Sequence, residues 1–237
     1  MSGESAIRLM ATSIAMASLV ACVDGDEPVE EKSPSAEEVS EGEKQGEELP
    51  FASEVIDFSP GSGAGFGVQS LPGVVLGPPK GKGTNAGSLD VLSLGVGGEI
   101  TLGFGDRVIA DGPGADFIVF ENPFWPMGDQ TQVFAEFGAV EVSEDGETWY
   151  AFGCDVDVAV EFEWPGCAGW SPTLAFDASQ EALTHDLAGG DAFDLADVGL
   201  ERARFVRVRD LAQEGQAPSA GFDLDAVGVI HFEDGAR

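Results

Sequence analysis

The sequence predicts an all-β domain, a sandwich of short antiparallel strands that begins near residue 51. Three observations carry this. Thirty-three glycines and thirteen prolines punctuate the chain at short intervals, and sixteen phenylalanines supply material for an aromatic core. From residue 74 onward, short apolar or alternating runs recur, each bounded by Gly, Pro or Asp. Long helical periodicity is scarce, and only Ser179 to Leu187 reads as one or two helical turns.

The expected strands, in order, are Gly73–Leu76, Glu99–Phe104, Asp116–Phe120, Gly138–Ser143, Trp149–Phe152, Val156–Phe162, Phe205–Val208 and Ala226–Phe232. Each is rich in β-branched or aromatic residues, which fit a pleated and half-buried surface. In Gly138–Ser143, alternation puts Val140 and Val142 on one face and Glu141 and Ser143 on the other. Asp145-Gly146 then suits a tight turn, after which Trp149 is expected to return to the core. In Phe205–Arg209 the valines share one face, and Arg207 and Arg209 share the other. Arg202, Arg204, Arg207 and Arg209 either receive an anionic ligand group or pair with acids on neighbouring strands.

The chain carries 43 acids against 11 bases. Twelve acids and three bases precede residue 51, which leaves 31 acids and eight bases, a formal charge of −23, for residues 51–237. A field of that sign repels phosphate backbones and anionic lipid and attracts cations. Nucleic acid is therefore not an expected partner, whereas a divalent metal is; solubility or a salty medium would explain the same charge.

Residues 9–21 form an apolar run too short to span a bilayer but of signal-peptide length. It ends in Leu19-Val20-Ala21-Cys22, which resembles the bacterial lipobox, so Cys22 is the expected site of lipid attachment. Arg8 is the only base before the run and Glu4 opposes it, a departure from the usual leader. An ordinary secretory leader would still export the chain. Residues 22–50 are acidic, with Ser, Gly and Pro and few large apolar side chains, and read as a disordered, extended tether. Val23 in place of Asp, by similarity to Gram-negative sorting signals, implies passage to the outer membrane or cell surface. The expected organisation is a signal peptide over 1–21, a tether over 22–50 and a β-sandwich over 51–237, with the lipid anchor as the sole membrane contact. Cys154 and Cys167 remain as a pair in an exported chain, where a disulfide is the expected state.

Several acids fall at strand ends. Calcium takes six to eight oxygen ligands, and loops at one rim of a sandwich bring such groups together from distant segments. Glu121, Asn122, Asp191, Asp194, Asp223 and Asp225 are the expected calcium ligands. In Asp223-Leu224-Asp225 the two acids share one strand face, and burial of that face would call for a cation; a solvated edge would call for none. Trp125, Trp164 and Trp170 lie in loops rich in Pro and Gly, where they are either a platform for sugars or buried loop anchors. Signatures of catalysis are few. Gly61–Gly67 lacks the strand and helix that frame a nucleotide loop and reads as a flexible loop, and Gly77–Thr84 has Gly83 where a phosphate loop needs Ser or Thr. His185 and His231 lack metal-ligand spacing.

The turn Ser143–Trp149 and the strand Ala203–Val208 resemble the discoidin branch of the galactose-binding-like jelly rolls. The close, Gly221–Ile230, is similar to the last strand of jelly-roll carbohydrate-binding modules, in which a preceding acid helps hold structural calcium. A wider pattern, Leu76–Pro79, Leu94–Phe104 and Asp111–Asn122 with Gly190–Leu195, resembles bacterial cell-surface proteins. What these resemblances imply is a galactose-binding-like jelly roll used for recognition. The expected function is a tethered, calcium-stabilised module that binds glycan or another extracellular polymer. The alternatives are an adhesive surface protein with a protein partner and, behind it, a glycosidase or lyase built on two facing carboxylates.

Overall fold

The computed structural model describes residues 49–80, 84–160, 163–174 and 183–235. The expected leader, Cys22 and the tether as far as residue 48 lie outside the described residues. Among those residues the chain is almost entirely β. The strands are β1 (Glu54–Ser59), β2 (Leu92–Ser93), β3 (Glu99–Gly103), β4 (Arg107–Ala110), β5 (Phe117–Phe120), β6 (Gly138–Ser143), β7 (Tyr150–Ala151) and β8 (Cys167–Ala168). They continue as β9 (Asp191–Phe193), β10 (Arg202–Ala203), β11 (Phe205–Asp210), β12 (Asp223–Leu224), β13 (Ala226–Val229) and β14 (Phe232–Asp234). One helical turn, α1 (His185–Ala188), overlaps the end of the expected helical segment and runs one residue past it; residues 179–182 are outside the described set. Among the described residues no helix is long and apolar enough to cross a membrane.

Every strand pair is antiparallel. The largest sheet runs β1-β3-β11-β6-β7, with β8 also paired to β6; a second runs β13-β5-β9, a third β10-β4-β14, and β12 pairs with β2. Val206 sits in register with Leu102 on one side and Val142 on the other, and these inward side chains share one core with Phe117, Val119 and Val227 of the second sheet. Burial of these two facing surfaces is the main driving force for the sandwich. Phe117 stacks on Phe193 at 5.2 Å, and Phe152 meets Phe193 edge-on at 4.9 Å. Strand β5 is buried on both faces, because Ile118 and Phe120 turn outward into a second cluster with Phe51, Leu183 and Ala188. That strand therefore reads as an unbroken apolar run, Phe-Ile-Val-Phe, rather than an alternating one.

Several expectations are corrected. Gly73–Leu76 is a turn, with the Val74 and Val75 amides donating to the carbonyls of Ser70 and Pro72, although Val75 is still buried. Val156–Val160 makes no strand beyond a bridge of Val160 with Glu163, and Val156, Val158 and Val160 are exposed; residues 161 and 162 lie outside the described set. The Gly61–Gly67 loop is packed instead of flexible. A Cβ on Gly67, whose φ is +79°, would lie 2.1 Å from the carbonyl oxygen of Val91. Trp149 does not enter the core. It lies half-buried beneath the guanidinium of Arg207, 3.6 Å from the ring centroid, on the outward face of the large sheet. On that face Arg207 pairs with Glu141 and Arg209 with Glu99, the cross-strand arrangement offered by the register.

Several strands escape the sequence pattern, and β1 and β4 are the longest of them. In β1 the register slips between Val55 and Asp57, so the side chains that reach the core are Val55 and Phe58, three apart instead of two. In β4 the consecutive Val108 and Ile109 are both buried, which hides any alternation. The last expected strand divides in two, because the amides of Ile230 and His231 both donate to the carbonyl of Asp116 and the chain passes from the second sheet to the third.

Candidate functional site

The three loop tryptophans converge. Trp125, Trp164 and Trp170, all half-buried, line one cavity of about 350 Å³ together with Gln130, Thr131 and Glu163. Trp125 is placed by its own amide, which donates to the carbonyl of Thr84 at 2.8 Å. Trp164 and Trp170 stand 6.2 Å apart between ring centroids, and each indole N–H is turned back onto its loop, to the carbonyls of Val156 and Cys167. Phe137 supports Trp164 from behind at 5.2 Å. The disulfide between Cys154 and Cys167 is formed and clamps the segment that carries Trp164 to the loop after β7. Thr131 is fixed by Asp129, which accepts from its amide and its hydroxyl. Among the described residues nothing engages the Gln130 amide group or the Glu163 carboxylate, and both are exposed. The cavity therefore offers aromatic surface with the indole donors of Trp164 and Trp170 already satisfied, and free polar groups at its margin.

The six residues expected to ligate calcium do not form one group. Asp191, fully buried at the start of β9, accepts from the amides of Gly169 (2.6 Å), Trp170 (3.3 Å) and Ser171 (3.1 Å). It is the anchor of the tryptophan wall. Burial pushes its carboxyl up to about 8, against the pull of those three donors. Asp225 receives the amide of Lys80 on both oxygens, at 3.0 and 3.1 Å, so it holds the 73–80 loop instead of facing Asp223; burial pushes it up to about 7. Asp194 lies at the far end of β5, beside Asp111 and Asp116, and caps a short 3-10 helix by accepting from the Ala196 amide. There Asp116 is already satisfied by the amides of Gly112 and Leu195 and by His231 at 2.9 Å.

Glu121, Asn122 and Asp223 do meet, and with them a residue the sequence pattern missed, Glu136. Glu121 follows β5, Asp223 opens β12, and Glu136 stands just before β6. One carboxylate oxygen from each of the three acids lies within 4.8 Å of the others. Asp223 is opposite Ser93 in the register and accepts from its hydroxyl, while Asn122 Nδ2 donates to the other Asp223 oxygen at 3.3 Å and to the Ser88 carbonyl at 3.0 Å. The Asp223 amide donates to Glu121 Oε1 at 3.3 Å, and Glu121 Oε2, fully buried, has no hydrogen-bond partner among the described residues. Burial, then the nearby charges of Asp223 and Glu136, hold the Glu121 carboxyl well above its ordinary range. Glu136, half-buried, is pushed up to about 7 by burial and by Asp223 and Asp210. Nothing local marks Glu136 in the sequence, because its neighbours come from segments far along the chain.

The acid cluster and the cavity share a wall. The segment Gly169–Ser171 belongs to the cavity side, and Gly169 packs against the main-chain carbonyl of Glu136; the Thr173 hydroxyl donates to the carbonyl of Glu121.

No protein-family model matches the chain, and no curated protein matches it. Among solved structures, a chain described as "Glycoside hydrolase" is similar over 60% of this chain and 22% of its own length, at 12% identity and a TM-score of 0.29. This chain thus spans less than a quarter of that protein, and a likeness so slight fixes neither fold nor activity.

Proposed function

We propose that the chain is a surface-tethered recognition module that binds an extracellular glycan across the cavity of Trp125, Trp164 and Trp170. One observation supports this above the rest: tryptophans from two separate loops line a single hollow, with the two paired indoles tied back so that their faces, not their N–H groups, remain for a ligand. Sugar rings present apolar C–H faces to such surfaces, and their hydroxyls suit an amide and a carboxylate at the margin, here Gln130 and Glu163. The disulfide and the Asp191 anchor hold the loop before any ligand arrives, which lowers the ordering cost of binding. The excess of negative charge in residues 51–237 favours a neutral polymer over an acidic one. Among the described residues Glu163 is the one carboxylate that lines the cavity. The leader-like segment and Cys22 support lipid anchoring at the outer membrane or cell surface, with the acidic segment as spacer.

The full chain, applied to a panel of immobilised neutral polysaccharides, is expected to be retained by at least one of them. Trp164→Ala or Trp170→Ala should each weaken that retention by about 2 kcal/mol, roughly thirtyfold in affinity. Absence of retention on every glycan, with and without chelator, would remove the proposal.

A further inference from the structure

This fold buries several carboxylates and, with one exception, satisfies them. Asp191 takes three main-chain N–H groups, Asp225 takes one on both oxygens, Asp116 takes two with a histidine, and Asp210 takes the amides of Gly97, Ala212 and Phe222. Glu121 is the exception. Its Oε2 is shut off from solvent and, among the described residues, meets neither a donor nor an acceptor. A proton on that oxygen would be a buried O–H without an acceptor, and an ionised oxygen would be a buried charge without a partner. Among the described residues no Lys, Arg or His pairs with Glu121, Glu136 or Asp223. The Asp223 oxygens face a hydroxyl and an amide N–H2, which pull against the burial that pushes its carboxyl up. Three carboxylates thus crowd one place, with no cationic side chain among the described residues to offset them.

We propose that Glu121, Glu136 and Asp223 hold a divalent cation, and that its class is calcium. The three oxygens already lie within the span of one coordination sphere. The ligands are all oxygen, with no histidine or thiol among them, which disfavours zinc and copper. They come from three separate segments and differ in burial, a set that tolerates the loose geometry of calcium better than the strict octahedron of magnesium. This set differs from the one expected from the sequence, since Glu136 enters it and Asn122, Asp191, Asp194 and Asp225 leave it, Asn122 turning its N–H2 to Asp223 and to the Ser88 carbonyl. The site stands apart from the glycan reading, and its test uses no glycan.

The experiment is calorimetric titration of the EDTA-stripped full chain with calcium chloride, paired with thermal melts in EDTA and in calcium. The wild-type chain should bind one calcium in this site. Glu136→Gln and Asp223→Asn should each weaken binding by at least about tenfold, while Asp194→Asn at the far end of β5 should leave it unchanged. Glu121→Gln removes the unpartnered charge, so it should melt no lower than wild type in EDTA and below it in calcium. If Glu121→Gln fails to fold, the half-buried Glu136 carries the test. No uptake by the wild-type chain at millimolar calcium, or uptake lost in Asp194→Asn and kept in Glu136→Gln and Asp223→Asn, would overturn the assignment.

Discussion

Asp191→Ala is expected to lower the stability of the folded chain by about 3–5 kcal/mol and to abolish glycan retention. The truncation leaves three N–H groups, those of Gly169, Trp170 and Ser171, without the acceptor that fixes them. The Gly169 bond is fully buried, so water cannot replace the carboxylate there without opening the wall. Asp191→Asn keeps a single acceptor oxygen and turns an N–H2 toward a donor, so its loss should fall between wild type and alanine. Urea unfolding of the three proteins measures the series. A cost below about 1 kcal/mol for the alanine variant would show that Asp191 does not anchor the loop.

Gly169→Ala should be comparably damaging for a different reason. Gly169 has φ +95°, where a side chain is strained, and a Cβ would lie 2.0 Å from the carbonyl oxygen of Glu136 and 3.0 Å from the Phe222 ring. Conformational strain of about 1–2 kcal/mol adds to an overpacking cost of about 1–3 kcal/mol. Because the new methyl presses on the Glu136 main chain from the Trp170 side, this substitution is expected to impair glycan retention and calcium uptake together. Trp164→Ala, by contrast, should impair only the first. Retention and uptake both at wild-type levels in Gly169→Ala would contradict the shared wall.

Much of the fold was legible because alternation survives wherever a strand has one buried face. Val140 and Val142 against Glu141, or Val206 and Val208 against Arg207, announce their strands and the faces they bury. Legibility failed where the backbone departs from period two. The slip at Ile56 breaks the β1 pattern, and the amides of Ile230 and His231 break the last strand. Apolar spacing also misled at Val156, Val158 and Val160, which alternate but face solvent beside the disulfide. At the site, loop composition brought out Trp125, Trp164 and Trp170, which line one cavity. Acids at strand ends were a blunter signal, since a buried carboxylate serves equally to anchor a loop. Asp191 and Asp225 do so, whereas Glu121 is left for something else. Only the count of partners around each oxygen separates the two roles, and that count needs the fold.

The chain contains four tryptophans, three in the cavity and Trp149 beneath Arg207 on the sheet face. Their indole N–H signals in a nitrogen-15 NMR spectrum of the full chain therefore report on both places at once. Titration with the hexasaccharide of whichever neutral polysaccharide retains the protein is expected to move the signals of Trp125, Trp164 and Trp170 and leave that of Trp149 still. Shifts confined to Trp149, or four unmoved indoles at saturating sugar, would contradict a glycan site in this cavity.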